Sequence, residues 1–152
     1  MFFLKYGFDY IDGRNIPQTV IEDDFTIQGK HNGTVHVKNG TLTIQGELHG
    51  TLDVQSSAKV IIIGKQHGTV SVDNDAEVIV VGELHGTTAV SAYGTVIIEA
   101  HGKLAGTLHN NGTVIVRGVF GGSQSGQGEL ILEENGYIKQ PTIKNGISYY
   151  EW

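Results

Sequence analysis

The stretch Gly46-Glu-Leu-His-Gly50-Thr-Leu-Asp-Val54 is answered by Gly64-Lys-Gln-His-Gly68-Thr-Val-Ser-Val72 and Gly82-Glu-Leu-His-Gly86-Thr-Thr-Ala-Val90. Together they decide the fold. The unit G-x-x-x-G-[TS] extends outward in both directions, to Gly29-Lys-His-Asn-Gly33-Thr34 on one side and to Gly102-Lys-Leu-Ala-Gly106-Thr107 and Gly118-Val-Phe-Gly-Gly122-Ser123 on the other. The leading glycines step by 17, 18, 18, 20 and 16 residues. A period near 18 is too short for a helical repeat and suits one solenoid coil of three short strands. Glycines at both ends of the unit predict corners with positive φ, which other residues resist.

Alternation inside each unit assigns the strand faces, because side chains reverse at every residue. The inward columns read Val35, Leu52, Val70, Thr88, Leu108 and, two residues on, Val37, Val54, Val72, Val90. Before the next glycine come Leu42, Val60, Val78, Val96, Val114 and then Ile44, Ile62, Val80, Ile98, Val116. An outward column supports the same register: Lys30, Glu47, Lys65, Glu83 and Lys103 alternate in charge coil by coil. Strands ~4.8 Å apart bring such neighbours within ion-pair reach. Exposed pairs are worth about 0–1 kcal/mol, so the column specifies register more than it stabilises.

The expected architecture is all-β, a single-domain parallel β-helix of about six three-sided coils. Residues 1–28 form an aromatic and acidic cap or arm, 29–122 the repeats, and 123–152 a degenerate last coil and cap. Phe2, Phe3, Tyr6, Phe8 and Tyr10 crowd the start and Tyr149, Tyr150 and Trp152 the end, while only Tyr93 and Phe120 lie between Gly29 and Gly122. A solenoid must cover its terminal strand edges or pair them, so these aromatics are expected to cap the rod ends or to adhere to a partner.

One outward column is apolar: Thr43, Ile61, Ile79, Ile97, Ile115, flanked by Ile63 and Val81. Such a stripe is large for a monomer surface. Either the N-terminal aromatic segment lies along it or another subunit does.

Composition narrows the function. The chain has 152 residues, 22 of them Gly, 17% charged and none Cys, which excludes a helical bundle, a coiled coil, a disulfide framework and cysteine chemistry. The net charge of −6 comes mostly from the two ends: residues 1–28 hold two basic against five acidic groups, and 129–152 two against four. No basic stripe exists for phosphates, so nucleic acid is not expected as a partner. No apolar run approaches the ~20 residues of a membrane span, and Met1-Phe2-Phe3-Leu4 is too short for a signal sequence. A cytoplasmic location is the expectation.

His49, His67 and His85 share one outward column before the Gly-Thr step. A straight ladder lacks the convergence and supporting contacts of a metal site, so no metal and no other cofactor is expected, only a modest pH sensitivity. Thr34, Thr51, Thr69, Thr87 and Thr107 also stack, but without the second parallel Thr column of ice-binding β-helices. The unequal steps break the strict hexapeptide rule of β-helix acyltransferases, and no G-x-S-x-G or H-E-x-x-H unit organises Ser, His and Asp. An enzyme is not expected.

The block from Phe25-Thr-Ile-Gln-Gly29 to Phe120-Gly-Gly122, with its short G-x-x-x-G steps followed by alternating Val/Ile strands such as Lys59-Val-Ile-Ile-Ile-Gly64, resembles the bactofilin domain. The resemblance covers about two-thirds of the chain. It implies a right-handed, non-catalytic coil that needs no nucleotide and assembles end to end, with Phe120 near an apolar end contact. Met1-Phe2-Phe3-Leu4-Lys5 resembles the short membrane-touching tail of some members, which implies a weak peripheral membrane contact through the N-terminus. The termini depart from the family's loose polar tails, and 137–152 has no counterpart there.

The expected function is therefore a self-assembling scaffold. Its candidate interface residues are Ile61, Ile79, Ile97, Ile115, Phe120, Phe2 and Phe3. The alternative is an acidic inhibitor, such as an immunity protein for a basic nuclease, which would meet its single partner through Glu22, Asp23, Asp24, Asp73, Asp75 and Glu77 by electrostatic steering.

Overall fold

The structure is a computed structural model, and it describes residues 7–149. Phe2, Phe3 and Tyr6, like Tyr150 and Trp152, lie outside the described residues. A hairpin of β1 (Phe8–Ile11) and β2 (Arg14–Pro17) precedes the solenoid. The first turn holds β3 (Thr19–Ile21), β4 (Phe25–Ile27) and β5 (Lys30–Asn32). The second holds β6 (Val35–Val37), β7 (Thr41–Ile44) and β8 (Glu47–His49). Next come β9 (Leu52–Val54), β10 (Lys59–Ile62) and the longer β11 (Lys65–Val72). They are followed by β12 (Glu77–Val80), β13 (Glu83–Val90), β14 (Thr95–Ile98) and β15 (Lys103–Asn110). The stack closes with β16 (Thr113–Val116), β17 (Val119–Ser125), β18 (Glu129–Leu132) and β19 (Tyr137–Ile138). A hairpin of β20 (Thr142–Lys144) and β21 (Ile147–Tyr149) ends the described chain.

The solenoid is all-β and its coils stack in parallel. Seven strands, β4, β7, β10, β12, β14, β16 and β18, form one sheet, here face A. A ten-stranded sheet bends at a glycine corner into faces B and C. Seven strands on face A mean seven turns, one more than the glycine motif shows. The seventh, β18–β19, corners at Gly136, which begins no G-x-x-x-G unit. The stack likewise starts at Thr19, inside the segment read as an arm, and runs to Ile138.

The register is the one the repeat requires. Val60 pairs with Leu42 and Val78, and Val78 pairs with Val96. All four predicted inward columns are buried, Thr88 included. A fifth core column, on face B, escaped the sequence reading: Leu48, Gln66, Leu84, Leu104 and Phe120, each no more than 1% exposed.

The two glycines of each unit do different work. Gly68, Gly86 and Gly106, at the corner between faces B and C, have φ of +127°, +115° and +114°, where a side chain is strained. The leading Gly64 and Gly82 lack positive φ. They are needed because a Cβ would strike the backbone of the coil below, at Gly46 O and Gly64 O respectively. The 20-residue step is a two-residue insertion at the corner Glu99–Gly102, which the next coil returns: Ile97 pairs with Ile115 as usual, while Lys103 pairs with Val119, 16 residues on.

Candidate functional site

Face A presents the apolar stripe. Its strands alternate intermediate and buried residues, so Ile61, Ile79, Ile97 and Ile115 point outward and are half-buried only by their neighbours along the column. The register places them in one row, Thr43–Ile61–Ile79–Ile97–Ile115, and Ile131 extends it on β18. Beside it Ile63 is 47% and Val81 40% exposed. Beyond Val81 the same flank becomes charged: Arg117 Nη1 donates to Glu99 Oε1 at 2.9 Å and Nε to Glu133 Oε1 at 3.0 Å. The sequence reading stopped at Ile63 and Val81, although Glu99 and Arg117 continue that column at 18-residue steps.

The described part of the N-terminal segment does not cover the stripe. Asp9 of β1 holds the Gly33–Thr34 corner, between faces B and C and thus opposite face A. Its Oδ2 accepts from Thr34 N at 2.6 Å and its Oδ1 from Thr34 Oγ1 at 2.8 Å. Burial works against the charged form of Asp9, but the two Thr34 bonds, the Gln18 bond and the nearby His36 together outweigh it and hold the carboxyl below its usual value. The aromatic residues nearby do not close the end: Phe8 is 53%, Tyr10 76% and, at the other end, Tyr137 51% exposed.

Phe120 corrects the end-contact expectation. It is fully buried and the largest of the core side chains, paired with Leu104 on one side and Ile138 on the other. The turn formed by β18 and β19 adds a layer beyond it, so it presents no surface to another molecule.

The six acidic candidates fall into two separate groups along the corner between faces C and A. Glu22, Asp23 and Asp24 belong to the first turn, and Asp73, Asp75 and Glu77 to the fourth. The corners between them carry Lys38, whose Nζ lies 3.7 Å from Glu22 Oε1. Asp24 Oδ1 accepts from Thr41 N at 2.9 Å, the position that a carbonyl of the preceding coil takes elsewhere, as in Lys59 N to Gly40 O and Glu77 N to Ala58 O. Asp75 has φ +61°, matching Ser57 and Tyr93 at the same corner, a conformation Asp tolerates. These residues serve turns and an edge as much as any surface charge.

The histidines stack as rings. His49 and His67 are 4.7 Å apart and 16° from parallel, His67 and His85 5.0 Å and 8°. The alternating Lys/Glu column makes the three unlike: His49 Nε2 is 3.2 Å from Glu47 and His85 Nε2 3.6 Å from Glu83, whereas His67 shares its strand with Lys65. Desolvation first, and then His85 and His49, push the His67 pKa below its usual value. Among the described residues, no three His, Asp or Glu side chains gather as metal ligands would, and no helix is long and apolar enough to cross a membrane.

Fold and surface define a β-solenoid whose ladder-bearing faces fit a role through protein contact. Compared with known proteins, the chain matches no family model, no curated protein and no solved structure.

Proposed function

We propose that this protein is a non-catalytic scaffold that works by binding copies of itself, as the bactofilin resemblance of Phe25–Gly122 implies. The observation that carries the proposal is the isoleucine row of face A. The water-facing row of five isoleucines, bordered by Ile63 and Val81, is one contiguous apolar patch of the kind that marks interaction surfaces, and no described strand packs over it. The outer edges of β4 and β18 are also unpaired among the described strands, which leaves both ends of the same sheet open to strand addition.

The test is mass against concentration. Light scattering of the native chain is expected to show species above 16.4 kDa that grow with concentration. Ile79→Lys, which adds a charge without entering the core, is expected to hold the protein at the monomer mass. A native chain that stays monomeric throughout overturns the reading. The inhibitor alternative is the weaker one, because its acidic residues form two groups and Asp24 is already engaged.

A further inference from the structure

We infer that two copies pair through face A with their rods antiparallel, about a two-fold axis that runs along the strands midway between the Ile61 and Ile79 rungs. The inference rests on the self-association just proposed and specifies its geometry.

Two rows flank the isoleucines. On one side, two residues before each, stand Lys59, Glu77, Thr95 and Thr113. On the other side, two residues after each, stand Ile63, Val81, Glu99 and Arg117. Their amides continue the ladder: Val81 N donates to Ile62 O, Glu99 N to Val80 O and Arg117 N to Ile98 O. With their rods aligned, two identical faces can meet about a two-fold axis in two ways. An axis along the rod lays each rung on itself with its flanks exchanged. Lys59 would then cover Ile63 and Glu77 would cover Val81, burying charge on apolar surface.

An axis along the strands keeps each flank against its own kind and reverses the order of rungs. The register then decides. Centred on the Ile61 rung, Lys59 meets Lys59; centred on Ile79, Glu77 meets Glu77. Midway between Ile79 and Ile97, Ile63 faces Arg117 and Val81 faces Glu99. Centres nearer the C-terminal end set Glu99 against Glu99, Glu77 against Glu129, or Arg117 against Arg117.

Midway between Ile61 and Ile79, the pairings of the two central rungs are all favourable and each occurs twice. Lys59 faces Glu77, Ile61 faces Ile79, and Ile63 faces Val81. One rung out, Glu99 faces the Gln45 amide and Ile97 faces Thr43. Six rungs at ~4.8 Å, on sheets stacked ~10 Å apart, would bury roughly 1,000 Å² in total, the threshold of a specific interface. Opposite charges at the crossings fix the register and reject the others.

Charge exchange tests this. Lys59→Glu alone and Glu77→Lys alone each place like charges at both crossings, and each is expected to weaken self-association at least tenfold by sedimentation. An equimolar mixture of the two variants brings opposite charges together at both crossings, so mixed dimers are expected to form with native affinity. Lys59 and Glu77 are also neighbours within one chain, and mixing cannot mend that contact, so recovery reads the interface alone. A mixture as weak as its components, from a native chain that does associate, overturns the antiparallel register and leaves self-association standing. A native chain that never associates removes both.

Discussion

Gln66 stands where the coils on either side carry Leu48 and Leu84. Its Nε2 donates to Gly50 O at 2.9 Å, while its Oε1 has no hydrogen-bond partner among the described residues. A buried acceptor without a partner costs about 1–3 kcal/mol, against roughly 1 kcal/mol for the Nε2 bond to Gly50 O, to which Nε2 adds only a long bond to His67 O at 3.4 Å. Gln66→Leu is therefore expected to stabilise the fold by about 1 kcal/mol, read as a raised urea midpoint. Next to it, His67 binds its proton less tightly folded than unfolded, since its native pKa lies below the usual 6.5. The unfolded chain then holds more protons as pH falls through 6.5, so stability drops toward acid pH. His67→Gln is expected to flatten that decline, measured as unfolding free energy at pH 7.5 and 5.5. The His column itself is legible as a repeat. That His67 is desolvated and lies between two rings requires the stacking.

At the scale of elements, carboxylates finish what the repeat cannot. Asp24 of the first turn supplies an acceptor to the amide of Thr41 in the second, where a backbone carbonyl serves in later coils, and Asp9 of the hairpin supplies one to the amide of Thr34, which has no coil beneath it. Asp9 also ties the β1–β2 hairpin to the solenoid and accepts a weaker bond from Gln18 Nε2 at 3.3 Å. Asp9→Ala is expected to free the hairpin at a cost of about 1 kcal/mol, seen as faster hydrogen exchange at Thr34. The same loosening is expected in the native protein below about pH 3.8, the ordinary Asp value. There protonation removes a stabilisation that is present above it. Neither cap shows as a pattern, because Asp9 lies 25 residues from Thr34, outside the period, and Asp24, one coil of 17 residues from Thr41, puts a side chain where later coils use a backbone carbonyl. Phe120 illustrates the converse. From its place in the last regular unit it reads as an end, but β19 pairs onto β17 and buries it.

For the whole molecule, a stack in which each coil touches mainly its neighbours behaves as a one-dimensional array. Its outermost layers have one neighbour instead of two, and opening is expected to begin there. Hydrogen exchange should be fastest in the two hairpins, then in β4 and β18, and slowest in β12 and β14; uniform protection would contradict this order. The solenoid, its parallel register, four of its five inward columns and the outward isoleucine row were determined by the sequence alone. Each is a local periodicity of apolar residues and glycines repeated about every 18 positions. Only the tertiary structure decided the seventh turn, the burial of Phe120 and Gln66, the carboxylate caps and the separation of the acidic residues into two groups. These depend on which distant residues meet when coils of unequal corner length are stacked, a relation that no single repeat carries.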